Sequence, residues 1–290
     1  MTHPVVITAT PTLFLDSGDL NIGGMREHLT WLENAGVDAI FAAGTTGEFP
    51  TLTDDEKLAV LDVSLEIFGP ERTYFHVGAP SARQAGELAA ESVRRGARRL
   101  AAVTPYYQSS PEAETLRYYD DVAQSSTGAA LFAYLFEART STQSTPSILA
   151  PLAEAGLAGV KISGEADATV ADYLAHRPEG FTVFSGNDVS FEWFSSAGGD
   201  GIISGVSSVY PEPFVALRDA LIAADSDAVR TAQQDVEQAV AAVNAGSLTH
   251  LKAGVSARGF AGGPVRSAVA PAAEADRSSI KALAAVFSAA

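Results

Sequence analysis

Residues 129–163 read AALFAYLFEARTSTQSTPSILAPLAEAGLAGVKIS. A strand-length apolar run (129–136) is followed by an amphipathic stretch (145–156) that stops at Gly156, and then by a second strand-length run (158–163). Strand, helix and strand in so short a span predict a right-handed βαβ crossover joining two parallel strands. The same alternation extends outward in both directions. Strand-length runs fall at 4–10, 38–44, 73–79 and 99–106 before this unit, and at 181–186 and 201–207 after it. Helical patterns occupy 22–36, 53–69, 81–96, 110–126, 166–178, 189–198 and 211–225. Eight strands, each followed by a helix, predict an α/β fold of the (β/α)8 TIM-barrel class. A doubly wound open sheet is the rival, but the first strand lacks the G-x-G-x-x-G turn of a dinucleotide unit.

Helical stretches at 226–246, 248–260 and 274–288 predict a small C-terminal helical appendage. The expected organisation is therefore a barrel over 1–225 and a helical extension over 226–290 packed on it. Thr53, Ser81, Ser110 and Thr145 are placed to cap the helices that follow them. Gly36, Gly69, Gly96 and Gly156 are placed to stop the preceding ones.

The 290 residues are 47% hydrophobic and carry a formal charge of −16, with no cysteine. Disulfides, thiolate metal sites and cysteine nucleophiles are thereby excluded. So acidic a chain is a poor match for nucleic acid or an anionic membrane. No apolar run approaches the roughly 18 residues of a membrane span, and the N-terminal segment has no basic region of a signal peptide. A cytoplasmic location is the expectation.

Only four lysines occur, and Lys161 lies in the apolar run Gly159-Val160-Lys161-Ile162. Lys57, Lys252 and Lys281 fall in polar or amphipathic helical stretches, where an ammonium is expected to reach water. A lysine in a buried strand is either neutralised or wanted for its amine, which makes Lys161 a candidate Schiff-base nucleophile. In a barrel the chemistry sits where strands end. That rule selects Thr8 to Thr12, Gly44-Thr45-Thr46-Gly47-Glu48, Tyr106-Tyr107, Tyr134 to Arg139, Lys161, Asn187-Asp188 and Ile203 to Ser208.

Tyr and Thr hydroxyls can shuttle the protons of carbinolamine formation. The Gly-Thr-Thr-Gly turn offers N–H groups and hydroxyls to a keto-acid carboxylate, and Arg139 can hold a second anionic group bidentately. Plainer readings stand beside these. Lys161 could pair with Glu48, Arg139 could pair with Glu137, and Tyr106 and Tyr107 cannot both face the same way in extended chain. The histidines at 3, 28, 76, 176 and 250 are scattered, so a metal-dependent aldolase is disfavoured and His76 reads as a barrel residue. No metal or organic cofactor is called for.

With these residues assembled, the chain resembles the dihydrodipicolinate synthase / N-acetylneuraminate lyase family of class I aldolases. The resemblance rests on Gly44-Thr45-Thr46-Gly47-Glu48, Val103-Thr104-Pro105-Tyr106-Tyr107, Gly159-Val160-Lys161 with Tyr134 upstream, Arg139-Thr140, and Ser185-Gly186-Asn187-Asp188. It implies a lyase that joins pyruvate or a 2-keto acid to Lys161 and makes or breaks a C–C bond with an aldehyde partner. It implies a proton relay of Tyr134, Thr45 and Tyr107, the last reaching across a subunit contact in many relatives. Thr46, with the adjacent backbone at Gly47, corresponds to the carboxylate clamp. Arg139 corresponds to the arginine for a second carboxylate, and the Ile203 carbonyl to a lining group. A homotetramer is implied.

The chain departs from the family pattern at Tyr134-Leu135-Phe136-Glu137, where Tyr-Asn-x-Pro is usual, and just after Lys161. Phe49-Pro50 leans towards the sugar-acid aldolase branches, and Glu137 brings a negative charge close to Arg139. These changes fall where the second substrate is chosen. The competing expectation is a catalytically silent keto-acid-binding or regulatory homologue on the same barrel.

Overall fold

The computed structural model describes residues 3–289; Met1, Thr2 and Ala290, which the expected domain ranges include, lie outside the described residues. Eight parallel strands follow one another in sequence order around a closed barrel: β1 (Val5–Ala9), β2 (Ala39–Ala42), β3 (Thr73–His76), β4 (Arg99–Val103), β5 (Ala130–Leu135), β6 (Gly159–Ile162), β7 (Thr182–Ser185) and β8 (Gly201–Ser204). The connecting helices are α1 (Ile22–Asn34), α2 (Asp54–Phe68), α3 (Ala82–Arg94), α4 (Glu112–Ser125), α5 (Glu137–Thr140), α6 (Leu149–Glu154), α7 (Asp167–Ala175), α8 (Phe191–Ser196) and α9 (Pro211–Ala223). Three more follow, α10 (Ser226–Ala242), α11 (Leu248–Ala257) and α12 (Glu274–Ala289). The (β/α)8 class and the C-terminal helices are as the alternation predicts. Among the described residues no helix is long and apolar enough to cross a membrane.

The chain forms two compact units, residues 3–4 with 70–203 and residues 5–69 with 204–289. The boundary expected at 225/226 falls inside the second unit, between α9 and α10, which pack on each other.

In the first unit the register aligns Val103, Tyr134, Lys161 and Phe184 as successive partners across β4 to β7. Two residues down each strand, Phe132 and Gly159 are partners in turn. A Cβ at Gly159 would lie 2.4 Å from the Thr182 carbonyl oxygen and 3.0 Å from the Phe132 ring, so the close approach requires glycine. The Phe132 ring packs with Tyr74 and Phe184 at centroid distances of 5.1 and 6.0 Å, a buried aromatic layer. Fully packed layers of this kind make a barrel interior a core and leave its chemistry to the strand ends.

Helix boundaries follow local chemistry with two exceptions. Thr53 forms a full capping box with Glu56, and Ser81 caps α3 through the Gln84 N–H. Gly36, Gly69, Gly96 and Gly156 all have positive φ, where a Cβ is penalised. Ser110 does not cap: α4 begins after Pro111, and the Ser110 N–H donates to Thr142 Oγ1 at 3.2 Å. Thr145 flanks a 3₁₀ turn without a side-chain cap, its hydroxyl donating to Glu112 instead. Fixing the loops after β4 and β5 to each other outweighs the caps at these two positions.

Candidate active site

In the first unit, Lys161 is the third residue of β6 and is 6% exposed. Its Nζ stands 4.4 Å from the centroid of the Tyr134 ring, a side chain that is itself buried. An ammonium over the face of an electron-rich ring is stabilised by the ring quadrupole. Tyr134 is held in turn by an edge contact to His76 (6.4 Å) and a tilted contact to Phe136 (5.8 Å). His76 Nε2 accepts the Val103 N–H at 3.2 Å, so this histidine serves the barrel wall. Ile203 is buried in β8.

Beyond β5 the chain turns into the single-turn helix α5, where the sequence predicts only a strand end. A hydroxyl series fixes it. Thr104 Oγ1 donates to Thr140 Oγ1 at 2.9 Å, Thr140 Oγ1 to the Phe136 carbonyl at 3.1 Å, and Thr142 Oγ1 to the Pro105 carbonyl at 2.8 Å. Arg139 is thereby presented in the open, its guanidinium carbon 5.9 Å from the Phe136 ring centroid. Among the described residues Arg139 makes no ion pair; Glu137 accepts a hydrogen bond from Gln143 Nε2 at 3.0 Å. Pairing of Arg139 with Glu137 does not occur.

Tyr106 is half-buried, whereas Tyr107 is 90% exposed and adopts φ +76°. Tyr107 is thus out of the extended conformation on which the expected opposition of the two rings rests. A left-handed aromatic residue is costly and points to function or tight packing. With so little of Tyr107 covered, packing within this chain is not the cause.

In the second unit, the loop Gly44–Gly47 leaves β2 between two left-handed residues, Ala43 (φ +51°) and Glu48 (φ +56°). The turn closes through Glu48 N–H to the Thr45 carbonyl (3.1 Å) and Phe49 N–H to the Gly44 carbonyl (3.2 Å). Thr12 Oγ1 donates to the Gly47 carbonyl at 2.7 Å. The N–H groups of Thr46 and Gly47 and the Thr46 hydroxyl donate to no described residue. Two adjacent N–H groups and a hydroxyl left over by a tight turn are the donor set an anion takes.

The support behind this loop was not legible as such in the sequence. Glu48 is 1% exposed and pairs at 2.8 Å with Lys252 Nζ, itself 3% exposed; its Oε2 accepts the Ser267 N–H at 2.8 Å. Lys252 also donates to the Pro264 carbonyl at 2.6 Å and lies 4.2 Å from the Phe14 ring centroid. Arg266 packs over the same ring at 4.1 Å and pairs with Glu56. Burial pulls the Lys252 ammonium below its ordinary pKa, and the Glu48 carboxylate opposes that pull. Two expectations are corrected here: Lys252 does not reach water, and it is the partner of Glu48. The missed signal is the spacing Leu248, Leu251, Lys252, Val255, which puts the lysine on the apolar stripe of its helix.

Residues 3–286 match the model of the dihydrodipicolinate synthetase family. The 4-hydroxy-tetrahydrodipicolinate synthase of Exiguobacterium sp. is 31% identical over 92% of this chain and 92% of its own length. The 4-hydroxy-tetrahydrodipicolinate synthase 1 of Streptomyces coelicolor is 32% identical over 97% of this chain and 92% of its own. The crystal structure of YagE, a prophage protein of the dihydrodipicolinic acid synthase family from E. coli K12 in complex with pyruvate, superposes with a TM-score of 0.89 at 24% identity, covering 98% of each chain. The fold, the family model and the two relatives agree, and the chain belongs to the dihydrodipicolinate synthetase family.

Proposed function

We propose that Lys161 forms an imine with pyruvate or another 2-keto acid, through which the enzyme makes or breaks a C–C bond to an aldehyde. That the chain is a lyase of the class I aldolase type follows from its family. The observation that carries the proposal is the buried Lys161 amine over the Tyr134 ring on adjacent strands. Nζ adds to the C2 carbonyl, and loss of water from the carbinolamine leaves an imine. Loss of a C3 proton then gives an enamine whose carbon attacks the aldehyde; hydrolysis returns the amine. Cleavage runs the same steps backwards.

Tyr134, Thr45 and Tyr107 are assigned to the proton transfers. Thr46 and Gly47 are assigned to the keto-acid carboxylate, a role supported by their uncommitted donors. The Ile203 carbonyl is assigned to the lining of the site. The exposure and left-handed backbone of Tyr107 support its insertion into a neighbouring subunit of a homotetramer.

Arg139 is assigned to an anionic group on the second substrate. Its lack of an ion pair to Glu137 supports a charged aldehyde of the synthase type over a neutral one. Turnover of a panel of charged and neutral aldehydes with pyruvate tests this. The expected result is condensation that favours a carboxylate-bearing aldehyde and loses that preference in Arg139→Ala, by about 10-fold or more. A preference unchanged in the variant would remove Arg139 from substrate binding. Keto-acid binding without turnover of any partner would favour the silent homologue.

A further inference from the structure

We propose that a cleft between α11 and α12 is a second anion site, built for a small dianion with a short hydrocarbon body. The cleft has a volume of about 720 Å³, within the range of small-molecule sites, and none of its lining residues belongs to the catalytic set assigned above. Its charged lining residues are Lys252, Arg277 and Lys281, all positive. Apolar wall is supplied by Ala253, Ala257, Val265, Val269 and Pro271.

The ammonium of Lys252 is already taken by Glu48 and the Pro264 carbonyl. The charge on offer comes from Arg277 and Lys281, one helical turn apart on α12. Arg277 Nε donates to the Ala272 carbonyl at 3.1 Å, which pins the guanidinium to the wall. Neither its Nη atoms nor Lys281 Nζ bonds to any described residue. Of the acids on the same turn, Asp276 is engaged by His250 and the Ala273 N–H, and Glu274 does not line the cleft.

Other exposed arginines of this chain, such as Arg26, Arg83 and Arg230, are each matched by a carboxylate. In a chain of net charge −16, two cations at i and i+4 on a concave wall, unmatched among the described residues, are a local reversal of sign. Like charges at that spacing oppose each other on the helix, and a bound anion relieves the opposition. A guanidinium takes one carboxylate or phosphate bidentately and an ammonium takes a second anionic group as a point charge. The hydrocarbon between them meets the apolar wall.

The test is thermal unfolding of the full chain titrated with succinate or inorganic phosphate, against sodium chloride at matched ionic strength. The expected result is a saturable rise in Tm with one or both anions, preference for succinate marking a dicarboxylate and for phosphate a phosphate ester. In the Arg277→Gln/Lys281→Gln double variant the apparent Kd should weaken by about tenfold or more, with each single variant intermediate. Both residues are exposed and lie outside the assigned catalytic set, so pyruvate trapping at Lys161 should be unchanged in the variants. No saturable rise beyond chloride, or the same rise in the double variant, would overturn the proposal, the latter by locating the anion elsewhere.

Discussion

Tyr134 and Lys161 are register partners on β5 and β6, and the lysine Nζ stands 4.4 Å from the centre of the tyrosine ring. The barrel's parallel pairing sets that geometry, because partners on adjacent strands project from the same face. Ring and hydroxyl therefore have separable roles. Tyr134→Phe keeps the ring beneath the amine and removes only the phenol. It should retain imine formation with pyruvate while kcat falls by about 10²–10⁴-fold, the usual worth of a positioned acid–base group. Unchanged turnover would take Tyr134 out of the proton relay.

The buried Glu48–Lys252 pair ties the Gly44–Gly47 turn to the C-terminal helices. Removing one member of a buried pair strands the other charge, at a cost of about 3–5 kcal/mol, whereas replacing both is far milder. Lys252→Met should lower the urea-unfolding free energy by about that amount, and Glu48→Gln/Lys252→Met should recover most of it. A Lys252→Met loss below about 1 kcal/mol would mean that water reaches the pair.

His28 gives the chain an acid-sensitive element. It is buried on α1 against Trp31 and Phe260, with Nε2 2.8 Å from the Ser208 carbonyl, so Nε2 carries the hydrogen. Burial lowers its pKa to about 4, against the 6.5 of an unperturbed histidine. The unfolded chain therefore takes up this proton first as the pH falls. Its contribution is complete above about pH 6.5 and is lost progressively down to about pH 4, on the order of 3 kcal/mol in all. Between pH 7 and pH 5, His28→Gln should lose about 2 kcal/mol less stability than the unsubstituted protein, measured by denaturant titration at both pH values. Parallel losses in the two proteins would mean that His28 protonates in the folded state.

The barrel was legible in the sequence because strands and helices alternate with capped, glycine-stopped boundaries. Lys161 was legible because an amine stands out in an apolar strand. Lys252 was not, since a helical lysine normally extends its stem to water. Only its place on the apolar stripe with Leu251 and Val255 marks it, and its partner Glu48 is remote in the chain. The idea that Glu137 neutralises Arg139 failed for a related reason. One turn of helix after β5, held by Thr104 and Thr140, separates side chains that are close in sequence, and Glu137 bonds to Gln143 instead.

Reductive trapping addresses Lys161 most directly. Folded protein treated with pyruvate and sodium borohydride, then digested and analysed by mass spectrometry, should carry one reduced pyruvyl adduct, on Lys161. Lys161→Arg should carry none while remaining folded. An unmodified Lys161 in the folded, pyruvate-treated protein, or an adduct on Lys252 or another amine in its place, would contradict the imine mechanism.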